Sequence, residues 1–180
     1  MKHSLLALAL AGATALTGCS SLVSLNPFVT DAQAVMDPAL LGIWTNAEGK
    51  ETYLVREDGN GYNIRFLDGT DSGYLFKAHL MVAGDVKLLD LVSADDDAFR
   101  LSVHTPVRIW TEGATLRIAF LETGWLKEQA ARQLSTAPAA SQVKDRVLIT
   151  APGEAVGKFL AKFAADPKAC DEPDVLRRLQ

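Results

Sequence analysis

Two cysteines, three histidines and one run of three aspartates are the residues through which this 180-residue chain could do chemistry. A metal site calls for three or four converging His, Cys, Asp or Glu ligands. Beyond the first few residues only His79 and His104 remain, each on the polar side of an alternating segment, where a solvated ring or one structural hydrogen bond accounts for it. Asp95-Asp96-Asp97 lacks the ordered ligand spacing and distal glutamate of a calcium loop, and a solvated turn is the simpler reading. Nucleophilic catalysis needs a Ser, Cys or Thr held by a base and its orienter. The chain has no Gly-x-Ser-x-Gly elbow and no Cys-His signature, and His104-Thr105 alone is too little. No glycine-rich loop joins a strand to a helix as phosphate binding would require. The sequence therefore predicts no catalytic residue, no metal and no cofactor.

The cysteines have different surroundings. Met1-Lys2-His3 is a short positive start, Ser4 to Leu16 is an Ala/Leu-rich apolar run, and Leu16-Thr17-Gly18-Cys19 ends it. A membrane-spanning helix needs about 20 apolar residues, so this run is of signal-peptide length instead. The four closing residues resemble the lipobox of bacterial lipoproteins. That resemblance implies cleavage before Cys19, with residues 1–18 as signal peptide, and lipid on the Cys19 thiol and the new amino terminus. Each buried CH₂ contributes about 0.8 kcal/mol, so two or three acyl chains hold firmly where one would not. Ser20 is not the aspartate that often retains such proteins on the inner membrane, which points to an outer-membrane anchor facing the periplasm. Cys170 is then the single remaining thiol, no internal disulfide can form, and an inert side chain is the expectation.

The 162 residues after Gly18 carry 17 basic and 22 acidic side chains, a net charge of −5. Such a mildly acidic chain offers no basic stripe for nucleic acid or anionic headgroups, so the expected partner is the bilayer through the acylated Cys19. Its length suits one domain able to bury a core without staples.

Residues 19–38 mix small, polar and proline residues without a period and read as a lipidated tether, although Leu22, Val23, Leu25 and Phe28 could lie against the lipid or the domain. A single β-rich domain follows over 39–180. Short alternating runs separated by Gly, Asp and Asn clusters predict antiparallel strands at Leu41 to Thr45, Thr52 to Arg56, Tyr62 to Leu67, Tyr74 to Val82 and Val86 to Val92. Phe99 to Val103 and Val107 to Thr111 are further strands interrupted by Pro106, then Thr115 to Leu121 and, later, Arg146 to Thr150. Leu126, Ala130 and Leu134 predict an amphipathic helix over Trp125 to Leu134. Val156, Phe159, Leu160 and Phe163 predict a second over Glu154 to Ala165, ended by Asp166-Pro167.

About eight short strands with two peripheral helices fit an antiparallel barrel or, alternatively, a β-sandwich with helices. Gly42-Ile43-Trp44 at the head of the first strand resembles the Gly-x-Trp that opens the lipocalin fold, and favours the barrel. That resemblance implies a barrel-floor pair, with Trp44 stacked on an arginine from a late strand, Arg117 first and Arg108 second. Small lipocalin-like envelope lipoproteins of unassigned function have a similar Pro-Ala-Leu-Leu-Gly-x-Trp start. Two expectations from different classes follow. The barrel binds or carries a small hydrophobic ligand, in which case its interior must be larger than its own side chains fill. Alternatively it is a structural or protein-interaction module of the envelope, its core filled by residues such as Phe66, Phe76, Phe99 and Phe120.

Overall fold

The computed structural model describes residues 22–70, 73–94, 101–122, 124, 140–143 and 146–179. Eleven strands order themselves in it: β1 (Leu22–Ser24), β2 (Gly42–Thr45), β3 (Thr52–Asp58), β4 (Gly61–Leu67), β5 (Tyr74–Ala83), β6 (Val86–Ser93), β7 (His104–Glu112), β8 (Thr115–Phe120), β9 (Ala140–Val143), β10 (Arg146–Ile149) and β11 (Asp174–Arg178). A helix, α1 (Gly153–Phe163), lies between β10 and β11.

Eight of these strands close on themselves. The ladder runs β6-β5-β4-β3-β2-β11-β8-β7, every neighbour antiparallel, and six further residue pairs from Lys87↔Ile109 to Val92↔His104 join β6 back to β7. Closure removes the sheet edges that a sandwich would leave. The fold is thus the antiparallel barrel, with α1 packed outside it. The helix expected over Trp125–Leu134, Asp95-Asp96-Asp97, Phe99 and the lipobox with Cys19 lie outside the described residues.

Turn chemistry makes the two ends of the barrel unlike. Gly59-Asn60, Gly84-Asp85 and Gly113-Ala114 each link a pair of strands through two residues, and each glycine has φ between 60° and 63°. That left-handed conformation is strained for other residues and its twist matches a tight hairpin. All three turns fall at one end, called the floor here. The opposite connections, after β2, β4 and β6, are longer and frame the mouth.

Strand alternation then divides the apolar residues between two cores. Trp44, Val55, Tyr62, Ile64, Leu80, Leu89, Ile109 and Leu176 face the barrel interior. The other core lies on the outer wall, where Met81, Val86 and Leu88 pack beneath Val156, Phe159 and Leu160 of α1 and Phe28 of the N-terminal segment. Gly153 and Gly157 let the helix approach closely, since a Cβ on Gly153 would fall 1.8 Å from the Pro27 carbonyl oxygen and one on Gly157 2.7 Å from that of Phe28.

Three expectations are corrected. Residues 22–38 are no free tether: β1 pairs in parallel with β10, Phe28 and Val29 are buried, and the Val35 N–H donates to the Leu80 carbonyl at 2.9 Å. Residues 101–103 are not in a strand, and β7 runs unbroken through Pro106. Pro106 is tolerated at a handover, where β7 leaves β8 after Val107↔Phe120 and meets β1 at Ser24↔His104. The barrel's closing strand is β11, whose Asp-Val-Leu-Arg-Arg has too little apolar alternation to predict a strand.

Candidate functional site

Inside the barrel is a cavity of about 320 Å³. Its lower part is walled by Leu40, Val55, Tyr62, Ile64, Leu89 and Val107, and its upper part by Tyr53, Phe66, Phe76, Leu91, Ile118 and Phe120. Glu51 and Asp174 are the charged residues of the lining. Large side chains therefore line the interior without filling it: Phe66, Phe76 and Phe120, expected as space fillers, form the upper wall. Their strands converge on the floor through tight hairpins and diverge into longer loops at the mouth, where Phe120 is 38% and Tyr74 48% exposed.

The floor is closed by chain and by polar bonds. The segment before β2 crosses beneath the barrel, with a short 3-10 turn at Pro38–Leu40 capped by Asp37, whose side chain accepts from the Ala39 N–H. Tyr62 Oη accepts from the Asp37 N–H at 2.7 Å, and Trp44 Nε1 donates to the Leu40 carbonyl at 2.8 Å. Lys87 donates to Asp37 Oδ2 at 2.6 Å and to Thr111 Oγ1 at 2.9 Å. Burial opposes ionisation of Asp37, but the Lys87 hydrogen bond, the Ala39 N–H and the Lys87 charge together hold its carboxyl below the usual range.

Trp44 is fully buried at this floor and has a cationic cover, but the cover is Arg178. Its guanidinium lies 4.3 Å from the ring centroid and donates to the carbonyls of Leu41 and Ala39. Gly42 is needed for this stack on two counts: its φ is 131°, and a Cβ there would stand 2.7 Å from Arg178 Nη1. The expected partners lie elsewhere. Arg117 and Arg108 project from the outer wall and both stand over Trp110, at 5.3 Å and 4.5 Å, with Arg117 also donating to Glu112. The correction follows from strand order. The late strand beside β2 is β11 and not β8, so Arg178, which pairs with Trp44 in register, supplies the guanidinium.

His104 and His79 are on different terms with their surroundings. His104 Nδ1 is 2.8 Å from Asp90 Oδ1, and Asp90 Oδ2 accepts from the backbone N–H groups of Phe28 at 2.9 Å and Val29 at 3.3 Å. Asp90 is 2% exposed, so this is a buried polar anchor that ties the N-terminal segment to the outer wall. His79 is half-buried on the outer face of β5, beside Gly61. Cys170 is half-buried, and burial pushes its thiol up against the opposing Arg108 hydrogen bond and charge, which leaves it a poor nucleophile. Among the described residues no three His, Cys, Asp or Glu side chains are grouped to hold a metal ion.

The cavity is thus the feature with the shape of a binding site, with apolar walls, one closed end and a few polar groups at the other. No protein-family model, no curated protein and no solved structure matches the chain.

Proposed function

We propose that this chain is a lipid-anchored protein of the cell envelope, on the periplasmic face of the outer membrane, whose barrel binds one small hydrophobic molecule. The observation that carries the binding half is the void. Ligand sites run from about 300 to 1,000 Å³, so a cavity of about 320 Å³ has room for one small molecule. Eight-stranded barrels either fill their interior with side chains or hold one such ligand. Apolar walls that face an unfilled space forgo the contacts they would make with one another unless something occupies it. A purely structural module would gain by filling it with larger side chains.

The anchor half rests on Leu16-Thr17-Gly18-Cys19 and its resemblance to a lipobox. Leu22 is already buried in the fold, and three residues of extended chain reach at most about 10 Å, so lipid on Cys19 would hold the barrel against the bilayer rather than at a distance from it. A ligand exchanged with the membrane would then have a short path.

Both halves have direct tests. The full chain expressed in a bacterial envelope should incorporate labelled palmitate, and Cys19→Ser should abolish it; equal labelling of the variant excludes the anchor. For binding, an uncharged naphthylamine fluorophore should brighten on titration with the purified protein, and Ile118→Trp, which places an indole in the void, should remove the signal while the thermal transition persists. Absence of brightening with the parent protein contradicts the cup.

A further inference from the structure

The mouth has a composition of its own. Three rings cross it on neighbouring strands: Tyr53 of β3 faces Phe66 of β4 with centroids 4.7 Å apart, and Phe66 faces Tyr74 of β5 at 6.1 Å. The first two line the cavity and the third continues the ladder outward, 48% exposed. Two carboxylates line the cavity with Tyr53: Glu51, two residues earlier in the chain, and Asp174 at the start of β11. Their charges both act on the Tyr53 phenol and, after burial, help to push its ionisation far above the usual tyrosine range, which places them within electrostatic reach of the ring and of the space above it.

Neither carboxylate has an ion-pair partner among the described residues. Lys50, adjacent to Glu51, is exposed in the turn and does not line the cavity. Arg117 is committed to Trp110 and Glu112 on the outer wall, and Arg178 to Trp44 at the floor. Asp171, whose N–H donates to the Phe120 carbonyl at 3.0 Å, adds a further carboxyl beside the rim. An apolar tube, aromatic faces at its exit and carboxylates without an ion-pair partner among the described residues together suit one kind of head group. Ring faces attract a cation and the carboxylates add Coulombic attraction, whereas an anionic head would meet repulsion from both.

We infer that the cup selects single-chain amphiphiles carrying an ammonium head, with the chain in the barrel and the head between the aromatic ladder and the carboxylates of Glu51 and Asp174. This rests on the binding reading above and specifies its ligand class. Fatty acids are disfavoured by the same geometry.

Displacement of the uncharged fluorophore from the full-length protein tests it, using three amphiphiles of equal chain length below their aggregation concentrations: dodecyltrimethylammonium, dodecanol and dodecanoate. The ammonium compound should displace the probe at the lowest concentration, about fivefold to tenfold below dodecanol, and dodecanoate at the highest. The Glu51→Gln, Asp174→Asn double variant should bring the ammonium compound and dodecanol to within about twofold while leaving dodecanol itself unchanged, and raised salt should shrink the parent's preference in the same direction. If dodecanol displaces the probe but dodecanoate equals or surpasses the ammonium compound, or the order persists in the double variant, the head-group inference fails and the cup stands. If the probe never binds, both fail.

Discussion

The barrel's inside and its outer wall are built from the same strands yet packed to opposite ends. On the outer wall, beneath α1, glycines at 153 and 157 bring backbone against backbone, and a buried carboxylate has its oxygens bonded to two N–H groups and an imidazole. On the inside, aromatic side chains stand around an unfilled space of about 320 Å³. One sequence thus sustains a core where a single added methyl has no room and another that forgoes contacts it could have made. Stability is concentrated outside, and the interior is left free for a ligand. The N-terminal strap of residues 22–40 and α1, which a simple barrel does not need, supply the packing that the cavity withholds.

The outer wall is most readily disrupted at its polar anchor. Asp90→Ala leaves the N–H groups of Phe28 and Val29 buried without acceptors and His104 without its partner, and should cost about 3 kcal/mol in urea unfolding. A loss below about 1 kcal/mol would show that the strap does not bear on global stability. Next comes the helix seat. Gly153→Ala drives a Cβ into the Pro27 carbonyl and should destabilise by about 2 kcal/mol, despite the better helix propensity of alanine, with loss of amide protection in residues 22–29. Inside the barrel the same kind of enlargement should do little. Ile118→Trp should change stability by no more than about 1 kcal/mol in either direction because it grows into empty space, and a loss as large as that of Gly153→Ala would mean that the interior is already full.

The smallest effect concerns the floor. The Asp37 carboxyl titrates below its unfolded value, so its stabilising contribution is present above about pH 4 and is lost as pH falls through the folded value. Asp37→Asn should therefore be less stable than the parent at neutral pH, with the gap closing below about pH 4. A gap that widens in acid would reverse the assigned sign.

Much of this architecture was legible in the sequence where local chemistry decides it. Asp58-Gly59-Asn60-Gly61 and Gly84-Asp85 are turn signals that the backbone obeys, and the alternation of Phe76, Ala78 and Leu80 against Lys77 and His79 gave β5 its correct inner face. The face shared by Val86, Leu88 and Asp90 was readable too, but not that a helix would cover it and make Asp90 an anchor. Contacts distant in sequence escaped. β11 has five residues of which three are charged, because its inner face passes from the rim at Asp174 through Leu176 to the floor at Arg178; each position suits a different depth and no period survives. With β11 unread, the arginine over Trp44 was sought on β8, at Arg117, and on β7, at Arg108. Gly42-Ile43-Trp44 marked the floor correctly, while its partner, more than 130 residues away, depended on strand order. The void itself has no sequence signature. Side-chain volumes on eight inward faces do not reveal whether they meet in the middle.

A ligand site and a packing fault differ in what the purified protein carries. Native mass spectrometry of the full-length protein, purified from a bacterial envelope in which it was expressed and never unfolded, separates the two. The parent protein should carry a reproducible extra mass that is released as one small hydrophobic or amphiphilic molecule on activation, and Ile118→Trp should be free of it. A parent protein with no such mass, and none after incubation with dodecyltrimethylammonium or dodecanol, would show that the interior binds no ligand.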